Sequence, residues 1–174
     1  LLSDDTRYFI ESLTRLGFHI SSPITPSGRA SPTITIHGLS GRIPSPRASL
    51  FTGNAGTAAR FLTAFVALGH GEYIIDGDER MRQRPIGDLV AALNALGAHI
   101  EPLIPDHASR ITDSICPPVR VIASGLPGGT ARISGETSSQ FLSALLMVAP
   151  YAGSPVEFLV DGELNSRPYV DMTL

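Results

Sequence analysis

The sequence repeats itself, and this limits the folds open to it more than any other feature. Laid on itself at an offset of about 80 residues, "RFLTAF" (60 to 65) falls on "QFLSAL" (140 to 145), pairing Phe61 with Phe141 and Leu62 with Leu142. The same offset sets Phe9, Ile10, Leu13 and Leu16 on Leu89, Val90, Leu93 and Leu96, and "LGFHI" (16 to 20) on "LGAHI" (96 to 100). With a slip of a few residues, "RPIGDL" (84 to 89) returns as "RPYVDM" (167 to 172). A duplicated unit of this length implies copies that share one core.

The periods within the unit indicate its elements. Ile86, Leu89, Val90, Leu93 and Leu96 follow helical spacing, with Gly97 as the stop. Residues 57 to 68 and 137 to 149 are apolar almost all round, which predicts two helices enclosed on every side at the centre. Short β-rich runs separate them: "EYIIDG" (72 to 77), "RVIAS" (120 to 124), "ARIS" (131 to 134) and "VEFLVDG" (156 to 162). The expected class is α/β (α+β), one domain over 1 to 174, with copies at approximately 1 to 49, 50 to 130 and 131 to 174. The first copy shows only from its second helix, "DDTRYFIESLTRLG", and the third stops about one turn into a helix, so a piece of a longer chain is expected. The Gly, Pro and Ser-rich stretches at 21 to 49 and 103 to 118 read as surface connections.

Charge and cysteine usage narrow the partners. A net charge of -3 provides no basic field for nucleic acid, and no window approaches the unbroken apolar length of a membrane span. Cys116 is alone, so no internal disulfide framework exists, and beside Pro117 and Pro118 it reads as structural or incidental in a reducing compartment. All 13 basic residues counted as Lys+Arg are Arg, so chemistry that needs a lysine is closed to this chain. Arginine presents a flat, always charged fork suited to phosphate and carboxylate.

The offset of 80 places Gly56 and Thr57 on Glu136 and Thr137, at the same helix start in two copies. In the first, Asn54 and the backbone N–H groups of Ala55, Gly56 and Thr57 stand where a helix exposes unpaired amides and the positive end of its dipole. In the second, Ser138, Ser139 and Gln140 offer two hydroxyls and an amide. Two readings stay open: simple N-capping, or binding of phosphate or carboxylate. A third cluster, "DERMRQRP" (78 to 85), alternates Arg80, Arg82 and Arg84. If extended, it points all three one way; if a solvated loop, they pair with Asp78 and Glu79. Its counterpart "GELNSRPY" (162 to 169) keeps one Arg and adds Ser166 and Tyr169, a hydroxyl and a ring suited to a small polyhydroxy ring, although Tyr169 also suits a core.

"LFTGNAGTAARFL", "DGDERMRQRPIGDLVAALNALGA", "TSSQFLSALLMVAP" and "DGELNSRPYVDMTL", in this order and spacing, closely resemble the 5-enolpyruvylshikimate-3-phosphate synthase family. The resemblance covers nearly the whole chain but only the middle of the first of that family's two domains. It implies repeated βαβαββ units around buried helices, and transfer of the enolpyruvyl group of phosphoenolpyruvate to the 5-hydroxyl of shikimate 3-phosphate, with no metal or organic cofactor. On the resemblance, Asn54, Gly56, Thr57, Arg84 and Gln140 would hold phosphoenolpyruvate. Ser138, Ser139, Gln140, Ser166 and Tyr169 would hold shikimate 3-phosphate, with Arg60 and Arg80 supporting. A competitive inhibitor such as glyphosate would be expected at the same place. The resemblance also implies a cytoplasmic protein, or a plastid one if the source is a plant.

The departures carry weight. The family's early Gly-Ser-Lys-Ser segment is missing, as is the second domain with its acidic and basic residues. No catalytic residue is therefore expected here, and the piece alone should be inactive. Phe61 stands where many members have Pro. The related transferase acting on UDP-N-acetylglucosamine has a loop Cys, whereas Cys116 lies away from both helix starts. A non-catalytic repeat protein with merely capped helices is the reading from another class, and a nucleotide P-loop lacks its Lys after "GNAGT".

Overall fold

A computed structural model describes residues 3 to 21, 33 to 103 and 115 to 174. The order is α1 (Asp4–Arg15), β1 (Ile20–Ser21), β2 (Thr35–Ile36), β3 (Arg47–Phe51), α2 (Gly56–Val66), β4 (His70–Asp76), α3 (Gly87–Ala95), β5 (His99–Pro102), β6 (Val119–Ser124), β7 (Gly129–Ser134), α4 (Ser139–Val148), β8 (Val156–Asp161) and α5 (Arg167–Asp171). Short 3-10 turns follow β4 and α4, at Met81–Gln83 and Ala149–Tyr151.

The helices begin and end for local reasons. Ser3 caps α1, accepting from the Thr6 amide at 3.3 Å, and Asp4, Asp5 and Arg15 complement the helix dipole. After α3, Gly97 turns the chain at φ 93°, where a Cβ would meet Pro127 at 2.6 Å.

The sheets show the repeat. β3 and β4 pair in parallel, Phe51 opposite Asp76, and β7 and β8 do the same, Ser134 opposite Asp161. Equivalent hydrogen bonds close both pairs: the Thr52 amide donates to the Asp76 carbonyl, and the Gly135 amide to the Asp161 carbonyl, each at 2.8 Å. β6 then joins β4 antiparallel and β5 joins β6, giving the order β3-β4-β6-β5. Leu50, Tyr73, Ile75, Val119 and Val121 point from this sheet into the core, where they meet Leu62 and Val66 of α2 and Leu89 and Leu93 of α3. α2 packs side by side with α4, so the two helices expected at the centre meet there.

Three expectations need correction. The strands align Thr52 with Gly135, so Gly56 of α2 corresponds to Ser139 of α4 and not to Glu136. The sequence match sits three residues away from this alignment, nearly one helical turn, so apolar positions coincide in both registers. The 21 to 49 stretch is not only a connection, because it holds β2 and the start of β3, whose Leu50 is fully buried. And α4 is not enclosed on every side: Met147 is 57% exposed beside an open apolar groove that Phe61 and Phe65 also line. Its neighbours among the described residues cover the other face. Much of the second proposed connection, 104 to 114, lies outside the described residues.

Candidate functional site

Parallel strand pairs deliver both helix starts to one end of the core. α2 leaves β3 through Thr52 to Ala55, and α4 leaves β7 through Gly135 to Ser138. The two starts differ in how their amides are met. Ser138 is the N-cap of α4 and accepts from the Gln140 amide at 3.4 Å, so capping holds there. The N-cap of α2 is Ala55, not Asn54, and no side chain caps it. Its first-turn amides are thus left to solvent or a ligand.

Arg60, one turn below Gly56 on the same helix face, ties the two starts together. Its Nη1 donates to Gln140 Oε1 at 2.5 Å and to Ser138 Oγ at 3.4 Å. Gln140 in turn donates from Nε2 to Thr57 Oγ1 at 2.9 Å. The ring of Phe141 lies under the guanidinium, 5.0 Å from its carbon to the centroid. Burial, and then the positive charge of Arg84, hold the Arg60 guanidinium below its ordinary value, yet an arginine stays charged at neutral pH.

Arg84 approaches from the other side. It follows the 3-10 turn with an extended backbone, and its Nη1 donates to the Asn54 carbonyl at 3.1 Å. The guanidinium passes so close to Gly56 that a Cβ there would lie 2.5 Å from both terminal nitrogens. Among the described residues neither Arg60 nor Arg84 has a carboxylate partner; their acceptors are amide, hydroxyl and carbonyl oxygens. Two neighbouring cations and an uncapped helix start make a place where an anion is favoured.

The arginine cluster does not behave as an extended strip. The 3-10 turn at 81 to 83 rotates its members apart, because Asp78 accepts from the Met81 amide at 2.9 Å and winds the chain. The Arg82 guanidinium turns away to Asp76, donating at 3.0 Å and 2.7 Å, while Glu79 acts on it through charge and Asp78 meets only its backbone amide. Arg80 is exposed, and its side chain joins no hydrogen bond or ion pair among the described residues. Only Arg84 of the three reaches the helix starts.

Copy three contributes from the flank. Ser166 sits in the left-handed region, φ 56° and ψ 40°, just before α5. Its loop is tied to the approach of α4, since Asn165 donates from its side chain to the Glu136 carbonyl at 2.6 Å and from its backbone to Gly135 at 2.8 Å. Ser139 opens α4, half-buried, with no hydrogen bond on its hydroxyl among the described residues. Tyr169 is 64% exposed, so it is not core. A cleft of about 340 Å³ runs beside the cluster, lined by Arg60, Pro85, Asp88, Thr137, Ser138 and Phe141.

Sequence reasoning missed Phe141 as the ring beneath Arg60, Asp76 as the clamp on Arg82, and Asn165 as the tie between loops. Asp76 carried a signal, since "DG" ends both β4 and β8. Phe141 carried none, because an aromatic residue in an apolar helix reads as core.

The family model described as EPSP synthase (3-phosphoshikimate 1-carboxyvinyltransferase) matches residues 1 to 174. A 3-phosphoshikimate 1-carboxyvinyltransferase of Marinomonas sp. (strain MWYL1) is 48% identical over 172 residues, 99% of this chain and 37% of that protein. The chloroplastic 3-phosphoshikimate 1-carboxyvinyltransferase 1 of Nicotiana tabacum is 43% identical over 182 residues, covering 100% of this chain and 33% of that protein. A solved structure of EPSP synthase from Acinetobacter baumannii superimposes with a TM-score of 0.74 at 21% identity, over 97% of this chain and 35% of that one. The chain thus spans about a third of the length of the relatives it matches. A family match over the full sequence, a shared fold and paired helix starts point one way: this chain belongs to the EPSP synthase family.

Proposed function

We propose that the chain carries the part of an enolpyruvyl transferase site that restrains two anionic substrates. Phosphoenolpyruvate is assigned to Asn54, Gly56, Thr57, Arg84 and Gln140, and shikimate 3-phosphate to Ser138, Ser139, Gln140, Ser166 and Tyr169. Arg60 supports both groups from behind, and Arg80 lies at the rim. In the reaction assigned to the longer protein, a bond forms between the 5-hydroxyl oxygen and the enolpyruvyl carbon. The carbon to phosphate-oxygen bond breaks, and inorganic phosphate leaves. The acid that protonates the methylene and the base that takes the hydroxyl proton are assigned to the remainder of the longer protein, so this chain alone is expected to bind without turning over. Its own contribution is electrostatic restraint. The compartment follows the relatives, cytoplasmic for a bacterial source and plastid for a plant one.

One observation carries this reading: Arg60 and Arg84 face the same helix start, and among the described residues neither makes an ion pair with a carboxylate. Capping alone would explain Ser138 but leaves two adjacent cations uncompensated, which an anion corrects. Calorimetric titration of the chain with shikimate 3-phosphate tests it, with inorganic phosphate and UDP-N-acetylglucosamine as controls. Saturable heat with shikimate 3-phosphate alone is expected. Heat with UDP-N-acetylglucosamine alone would move the assignment to the related transferase, and equal response to all three would reduce the site to a general anion patch.

A further inference from the structure

We propose that Arg60 is a positioning residue that fixes the orientation of the Gln140 amide and so aligns the two substrate subsites; this rests on the reading above. A terminal amide has two orientations of similar energy unless its partners choose between them. Arginine has donors and no acceptor, so the Gln140 oxygen must face Arg60, and the amide nitrogen must face away. In the reverse orientation two sets of N–H groups would oppose each other. The nitrogen then donates one proton to Thr57 Oγ1 and has a second proton to spare. Thr57, already accepting, is left with its own hydroxyl proton to donate.

A single direction of polarity therefore runs from Arg60 through Gln140 to Thr57, leaving α2 for α4 of the other copy and returning to α2. The spare protons along it, on Arg60, Gln140 and Thr57, are free to meet anions at both helix starts. Phe141 beneath the guanidinium and the second bond to Ser138 hold Arg60 in the plane this needs. The sequence offset alone suggested two separate anion sites, one per copy. The contact network makes them one unit, because Gln140 takes its orientation from a residue of the other copy.

The test follows the Gln140 side-chain amide signals in ¹⁵N spectra of the chain, together with titrations of shikimate 3-phosphate. Arg60→Met keeps bulk over Phe141 but removes the donors. The expected result is that the Gln140 side-chain signals move toward those of a free glutamine, the Thr57 amide stops responding to ligand, and affinity falls about tenfold or more. Arg15→Met, an exposed residue in the last turn of α1, removes the same charge and should change none of these. Unmoved Gln140 signals with wild-type affinity in a folded Arg60→Met chain would overturn the proposal. If that variant does not fold, Arg60→Lys decides. A compact ammonium cannot hold Gln140 and Ser138 in one plane, so the signals should move and affinity should fall about threefold or more. Unchanged signals and affinity in Arg60→Lys would reduce Arg60 to a charge. Failure of the unaltered chain to answer shikimate 3-phosphate would instead count against the substrate assignment, since the ligand-free Gln140 signals test positioning separately.

Discussion

A methyl group at Gly56 would have opposite effects on the helix and on the site. Gly56 is buried at the first position of α2 with a φ that alanine also adopts, and alanine there costs less chain entropy on folding by about 0.5–1 kcal/mol, so Gly56→Ala is expected to leave stability unchanged or slightly raised. The added carbon would lie 2.5 Å from the Arg84 nitrogens, and the long arginine side chain can swing away, giving up its bond to the Asn54 carbonyl. Thermal unfolding and phosphoenolpyruvate titration should therefore separate, with Tm held and affinity lowered about tenfold. Unchanged binding with unchanged Tm would contradict the close approach. At this scale the sequence was readable in residue type but not in direction. Gly56, Gln140 and Ser138 stood out as small or polar residues entering apolar helices. Which of Arg80, Arg82 and Arg84 reaches them depended on a 3-10 turn and on Asp76. Neither leaves a periodic trace.

Among the elements, the pair α2 and α4 is the mechanical base of the site, because both helix starts keep their spacing only if the two helices stay packed. Leu62 has no exposed surface and sits between α2 and the sheet. Leu62→Ala is expected to cost about 2–5 kcal/mol, read as a lower urea midpoint with little change in slope. A loss under about 1 kcal/mol would mean that the helix is less central than its burial indicates. Helical spacing located α3, unbroken apolar runs located α2 and α4, and the repeat offset located α1. Strand β3 escaped because it has only five residues directly after Pro44 and Pro46, and two-residue β1 and β2 offer no alternation to detect. The repeat offset was found but misplaced by nearly a turn, and only the strand hydrogen bonds fixed it.

Over the whole molecule, the ends of β4 and β8 anchor the loops that frame the site, and acid should reveal one anchor. Burial pushes the Asp76 carboxyl up, but hydrogen bonds from Arg82 and the Gly77 amide, with the charge of Arg82, outweigh it and leave Asp76 below its ordinary value. A depressed carboxyl contributes stability that is fully present above its unfolded pKa of about 3.9 and is lost as pH falls through the folded one. Asp76→Asn should thus unfold earlier than the unaltered chain at neutral pH, and the gap should close below about pH 4. A gap that persists in acid would place the effect elsewhere. A single anion site built from two copies should be visible in an amide-resolved NMR titration with shikimate 3-phosphate. The account predicts concerted, saturable shifts at Gly56 and Thr57 of α2 and at Ser138, Ser139 and Gln140 of α4, absent with UDP-N-acetylglucosamine. Shifts confined to one helix start would contradict it, leaving two separate caps where the account has a single site.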